Sequence, residues 1–198
     1  MSAAARRLGR VSHGAVAALL LLGLGASMAL RLAIAGGPRT WSPASGLVFA
    51  GALVGLSMAA GWRPGSPTIR AAMLGLGGAA FLLVAPVATS VAVGHVAPLR
   101  IDAFAAWAPV AVAVAISEEV LLRGALFDAV AGRHGDVAAV ALAAVAFGVL
   151  HVPLYGWGAV PLDVAVGVWL GGLRLAGGGV LAPATAHALA DLPVWWLR

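Results

Sequence analysis

The 198 residues include no cysteine and no lysine, a single tyrosine and only seven acidic side chains. Without cysteine there is no disulfide, no thiolate metal ligand and no cysteine nucleophile. At 10% charged residues the chain falls far short of the roughly 25% that a soluble globular domain carries. The net charge of +5 rests wholly on arginines, which are scattered singly except near the start, in "RRLGR". Single arginines at the edges of apolar segments are orientation signals, so no nucleic acid is expected as a partner. No repeat of roughly 20–50 residues is visible.

What the chain has in abundance is apolar surface: 62% of its residues are hydrophobic and the mean hydropathy is +1.02. Apolar runs of about 20 residues cross a bilayer, and a helix satisfies its own backbone hydrogen bonds there. No segment alternates with the period of a strand. Breaking the apolar runs at glycine, proline and arginine clusters predicts helices near 14–35, 45–62, 70–94, 104–131, 136–152, 160–176 and 179–197. The expected fold is all-α, a polytopic transmembrane bundle of about seven helices. Residues 1–100 would supply about three of them and residues 101–198 the functional helices. The first apolar stretch is longer than a signal-peptide core and Arg31 interrupts it, so it reads as a membrane helix that is retained. "LGLGG" at 74–78 is too short for a nucleotide loop and reads as close helix packing.

A cytoplasmic N-terminus puts Arg6, Arg7, Arg10, Arg63, Arg70, Arg133 and Arg174 on the cytoplasmic side, against Arg31, Arg39, Arg100 and Arg198 on the other. That asymmetry favours N-inside. The lysine-free, Ala/Gly/Arg-rich composition reads as a GC-rich, bacterial coding sequence, hence an integral protein of the bacterial plasma membrane in contact with lipid.

Against this background seven ionisable residues fall inside apolar segments: Glu118, Glu119, Arg123, His151, Asp163, His187 and Asp191. A charge at mid-membrane costs ~2.5–3.5 kcal/mol on the mildest scale, so each needs a partner or a job. His13, His95 and His134 lie in loops or termini and read as solvated. Glu119 and Arg123 stand at i,i+4 with the acid first, the better order for a helical ion pair. Glu118 lies about 100° around the helix from Glu119 and cannot easily share that arginine. One carboxylate is thus committed, and its neighbour is free to exchange a proton as a general base.

"GRHG" at 132–135 is expected to fold the flanking helices into an antiparallel hairpin. Glu118 stands 14 residues before Gly132 and His151 stands 16 after Gly135. At about 1.5 Å per residue the two are nearly level, so they can face each other. A lone histidine on an apolar helix is commonly a packed residue; the level match to an uncommitted glutamate turns the balance to a site. Phe147 and His151 share a helix face, as do His187 and Asp191, the latter pair either bonding across a polar interface or joining the site. Asp163, near a helix start, reads as a structural acid favoured by the helix dipole.

Taken in order, E-E-x-x-x-R (Glu118, Glu119, Arg123), F-x-x-x-H (Phe147, His151) and H-x-x-x-D (His187, Asp191) resemble the motifs of the CPBP family of intramembrane proteases. That family includes the type II CAAX prenyl proteases and the bacterial Abi-type proteins. The resemblance covers roughly 105–195. It implies a helical membrane endopeptidase in which Glu118 and His151 activate the attacking water. It further implies that Arg123 holds Glu119 and that His187 and Asp191 line the oxyanion side. The last motif often ends in Asn; an ionised Asp191 only accepts hydrogen bonds, so it would be protonated or would orient His187.

Glu118, His151 and His187 could together bind zinc with one position left for water, and the family is often described as metalloproteases. No HExxH places two histidines on one face, and the metal-free scheme is favoured, with no cofactor. "GASM" at 25–28 and "GLSM" at 55–58 lack the final glycine of a rhomboid-type G-x-S-G, and no G-x-G-D motif occurs. The expected substrate is a membrane protein or peptide reaching the site from the bilayer or its cytoplasmic edge. The alternative is a membrane protein without protease activity, a proton-coupled transporter or a bacteriocin-immunity-type protein, using the same polar cluster.

Overall fold

A computed structural model of the chain describes residues 13–38, 40, 42–92 and 101–195. Among these the structure is all-helical: α1 (His13–Ala35), α2 (Pro43–Ala59), α3 (Ile69–Ala92), α4 (Ile101–Glu119), α5 (Phe127–Tyr155), α6 (Val160–Gly177) and α7 (Leu181–Asp191). The chain is an integral membrane protein. Three described stretches are long and apolar enough to cross a bilayer: His13–Ala35, Phe104–Tyr155 and Trp157–Gly177. The predicted loop around His95 and the residues before His13 lie outside the described residues.

The stretch Phe104–Tyr155 is a hairpin. Gly135 adopts φ 80° and ψ 168°, a conformation that L side chains rarely take, and there the helical path breaks and reverses. The returning limb brings Phe147 under Arg123, with the guanidinium carbon 5.0 Å from the ring centroid. His134 beside the turn is exposed, and so is His13.

One feature of this hairpin has no counterpart in the sequence prediction of an unbroken helix over 104–131. Val120–Leu126 winds as a π-helix, wholly buried. Such wide turns are rare and gather at functional sites. Trp62 packs against its middle; a Cβ on Gly124 would stand 2.5 Å from Trp62 Nε1. Arg174 Nε donates to the carbonyl oxygen of Arg123 at 2.8 Å, and its guanidinium also pairs with Asp128 at 3.1 Å.

Small residues set the helix spacing elsewhere, as expected where lipid removes the hydrophobic drive between helices. A Cβ on Gly167 of α6 would come within 2.7 Å of Ala144 Cα on α5. Gly75 and Gly78, in the "LGLGG" run, meet Thr185 of α7 and Leu173 of α6 in the same way. The last predicted span, 179–197, is the one most altered. Its α-helix is 11 residues long and ends at Asp191, where a 3-10 turn over Leu192–Trp195 takes over. Pro193 lacks the N–H that an α-helix needs and disfavours helical geometry in the residue before it.

Candidate active site

Glu119 is the last residue of α4 and Arg123 lies one turn on, inside the π-helix. Arg123 Nη1 donates to Glu119 Oε1 at 2.7 Å, and both side chains have no exposed surface. Arg123 Nη2 donates to the carbonyl oxygen of Gly167 at 3.1 Å. One planar guanidinium therefore ties α4 to α6 while lying over Phe147 of α5, a fork that a lysine cannot reproduce. The spacing-based pairing of Glu119 with Arg123 holds.

Glu119 has a second partner that no short-range pattern announces. His187 Nδ1 lies 3.0 Å from the same Oε1. A carboxylate oxygen only accepts, so Nδ1 is the donor. On the far side of the ring, His187 Nε2 lies 3.7 Å from Asp191 Oδ2, an ion-pair distance rather than a hydrogen bond. His187 is thus set between two carboxylates, with the edge of Phe147 against it at 5.3 Å.

Glu118 points elsewhere. It is buried, yet among the described residues it makes no hydrogen bond, and it lines a cavity of ≈ 1010 Å³ together with His151, His187 and Asp191. His151 Nδ1 lies 2.8 Å from the Phe147 carbonyl oxygen. That oxygen accepts, so Nδ1 carries the hydrogen and Nε2 keeps the lone pair, ready to take a proton. The ring is packed between Phe147 at 4.5 Å and Tyr155 at 5.7 Å, the latter almost parallel. Phe147, His151 and Tyr155 repeat every four residues, so the tyrosine was within reach of the sequence pattern.

Asp163 is the site residue that sequence reasoning assigned elsewhere. It does stand in the first turn of α6, as a dipole-favoured acid would. It also lines the cavity and interacts electrostatically with His151, and its Oδ2 is buried with no hydrogen-bond partner among the described residues. Its depth could not be read from the neighbouring residues, because α6 begins only after a 3-10 turn at Trp157–Ala159.

The acids and imidazoles do not gather as a metal cage. No three of the described His, Asp and Glu side chains stand at a spacing that would hold a metal ion. His187 is already engaged by Glu119 through Nδ1, and Glu119 by Arg123. The two serines of "GASM" and "GLSM" are also committed: Ser27 and Ser57 donate to the carbonyls of Gly23 and Leu53 four residues back.

The cavity has a polar mouth and apolar walls. Arg31 of α1, with Thr40 and Ser42 from the connection between α1 and α2, lines it together with Tyr155, Asp163 and Asp191. Leu82, Val110, Val114 and Val166 line it as well. The start of α1 lies at the other end of the bundle, where His13 approaches Gly132 in the hairpin turn.

Residues 100–193, nearly half of the chain and the part that carries Glu118, His151, His187 and Asp191, match the family model described as type II CAAX prenyl endopeptidase Rce1-like. No curated protein and no solved structure matches the chain.

Proposed function

From the premise that residues 100–193 belong to the type II CAAX prenyl endopeptidase family, we propose that the chain hydrolyses a peptide bond of a membrane protein or peptide by a water that Glu118 and His151 activate. One observation carries this reading: Glu119 holds both Arg123 and His187 through its Oε1, whereas Glu118 and the Nε2 of His151 border the cavity with no hydrogen-bond partner among the described residues.

In the proposed reaction a water bound between Glu118 and His151 Nε2 gives up its proton to that pair as its oxygen attacks the scissile carbonyl carbon. The carbonyl π electrons move to oxygen. As the cation, His187 keeps its Nδ1–H on Glu119 and supplies positive charge beside the oxyanion. Asp191 then serves by orienting His187, which suits its acceptor chemistry. Collapse of the tetrahedral species breaks the C–N bond, and the leaving amine takes the proton back from the Glu118–His151 pair. No cofactor enters the scheme.

The residues lining the cavity come from the half of the bundle away from the start of α1, so a cytoplasmic N-terminus puts the cavity toward the other face of the membrane. The arginine distribution supports the cytoplasmic N-terminus. In this reading the mouth faces away from the cytoplasm, and the substrate reaches it from the bilayer or that outer side.

The test uses purified full-length protein in lipid nanodiscs with a library of apolar peptides, the products being read by mass spectrometry. Wild type yields fragments, while Glu118→Ala and His151→Ala yield none above background. Equal cleavage by wild type and either variant refutes the mechanism.

A further inference from the structure

Arg31 sits on α1, outside the segment that matches the family, and the chemistry above makes no use of it. The buried Arg123 is paired with Glu119, and the partly buried Arg174 with the exposed Asp128. Among the described residues Arg31 has no carboxylate within salt-bridge distance, and no other described arginine lines the cavity. An unpaired cation at membrane depth is costly, and an arginine near a helix end usually escapes by reaching out to the interface. Arg31 turns inward instead. Its guanidinium carbon lies 5.0 Å from the ring centroid of Phe49, a residue 1% exposed. The ring face offers some stabilisation, but the five N–H donors still call for acceptors.

The cavity's own charges sharpen the point. Glu118, Asp163 and Asp191 all border it, and Arg31 interacts electrostatically with Glu118 without touching it. A negative group on an occupant meets three acidic side chains in the cavity, and Arg31 is the described arginine there that no carboxylate already holds. The guanidinium fork matches a carboxylate with two parallel hydrogen bonds, which water at the mouth does not offer in the same geometry. We infer that Arg31 is a substrate-binding residue that takes a carboxylate of the peptide, either the chain terminus or an acidic side chain, at the mouth end of the cavity. Held there, the peptide presents an apolar stretch along the cavity wall and its scissile carbonyl to Glu118 and His151. The inference rests on the peptidase reading above and adds to it the chemical class of the substrate.

The test uses full-length protein in phosphatidylcholine nanodiscs and apolar ten-residue peptides in three matched forms: free C-terminal carboxylate, C-terminal amide, and amide with one internal Glu. Cleavage is followed by mass spectrometry, and binding by quenching of tryptophan emission, since Trp107 and Trp169 line the cavity. Wild type takes one of the acid forms with a KM at least tenfold below that of the plain amide. Arg31→Gln abolishes that preference by raising the KM of the acid form to that of the plain amide; Arg31→Lys restores part of it. Which acid form responds identifies the source of the carboxylate. If Arg31→Gln weakens acid and amide peptides equally, or wild type does not distinguish them, the inference fails. If Glu118→Ala still cleaves, or wild type cleaves nothing, it is the peptidase reading that fails. The binding arm then decides alone: tighter binding of acid peptides to wild type than to Arg31→Gln supports the carboxylate site, and equal binding overturns it.

Discussion

Replacing Arg123 by methionine keeps most of the side-chain volume and removes the charge. Glu119 is then left buried with its Oε1 held by His187 alone, and its Oε2 has no partner among the described residues even with the arginine present. The Gly167 carbonyl loses its 3.1 Å donor and Phe147 loses the cation over its face. Breaking a fully buried ion pair from one side typically costs about 3–5 kcal/mol, because the remaining charge is uncompensated. For a chain of this size 1 kcal/mol corresponds to roughly 2–4 °C in Tm, so a fall of roughly 6–20 °C is expected. Removing both charges in Glu119→Gln/Arg123→Met leaves no stranded carboxylate, and the double variant is expected to lie above the sum of the singles by at least about 1 kcal/mol. Thermal unfolding in a mild detergent, followed by tryptophan emission, measures all four proteins. If Arg123→Met melts within about 2 °C of wild type, or the cycle is additive, the lock described here does not hold the helices together.

Glu118→Gln should behave in the opposite way. No ion pair is lost, so Tm should stay within about 2 °C or rise, while peptide cleavage falls about 10²–10⁴-fold, the usual weight of a general base; a variant that unfolds and stays active contradicts the division of roles between the two glutamates. In Gly167→Ala the new Cβ meets Ala144 Cα at 2.7 Å, whereas in Gly172→Ala it meets nothing within 4 Å. The first should lose about 1–3 kcal/mol through overpacking and the second should be neutral or slightly stabilising, as read from paired melting curves. Because the chain contains no cysteine, Thr40→Cys at the cavity mouth and His134→Cys at the hairpin turn can be labelled one at a time in intact cells. A membrane-impermeant maleimide should modify Thr40→Cys directly and His134→Cys only after permeabilisation; the reverse pattern puts the N-terminus outside and the mouth on the cytoplasmic side.

Local periodicity made the central pairings legible. Glu119 with Arg123, Phe147 with His151, and His187 with Asp191 are each four residues apart on one helix, and a helix turn converts that spacing into a shared face. The hairpin at Gly135 was legible for a related reason: a glycine-flanked break between two apolar runs leaves antiparallel packing as the compact solution. Non-local features were not legible. His187 reaches Glu119 across 68 residues of sequence, and only the packing of α7 against α4 brings them together. The π-helix at Val120–Leu126 has no compositional mark; Trp62, which follows α2, and Arg174 of α6 pack against that turn. Asp163 and Arg31 were read by their position near helix ends, where acids and arginines have ordinary interfacial roles; their inward placement depends on which ends surround the cavity.

Why a segment so apolar should carry adjacent carboxylates has a physical answer in this arrangement. In a low-dielectric bundle a single glutamate would be drawn into the strongest available ion pair, and a carboxylate locked to a guanidinium has no proton affinity to spare for a bound water. Two neighbours about 100° apart divide the task. Glu119 meets both Arg123 and His187 and neutralises the buried cationic groups that the helix junction needs. Glu118 is thereby left facing the cavity with no hydrogen-bonded or ion-paired counterpart among the described residues. A carboxylate that is both buried and uncommitted is what water activation in a membrane requires, and it can persist only while its neighbour holds the arginine.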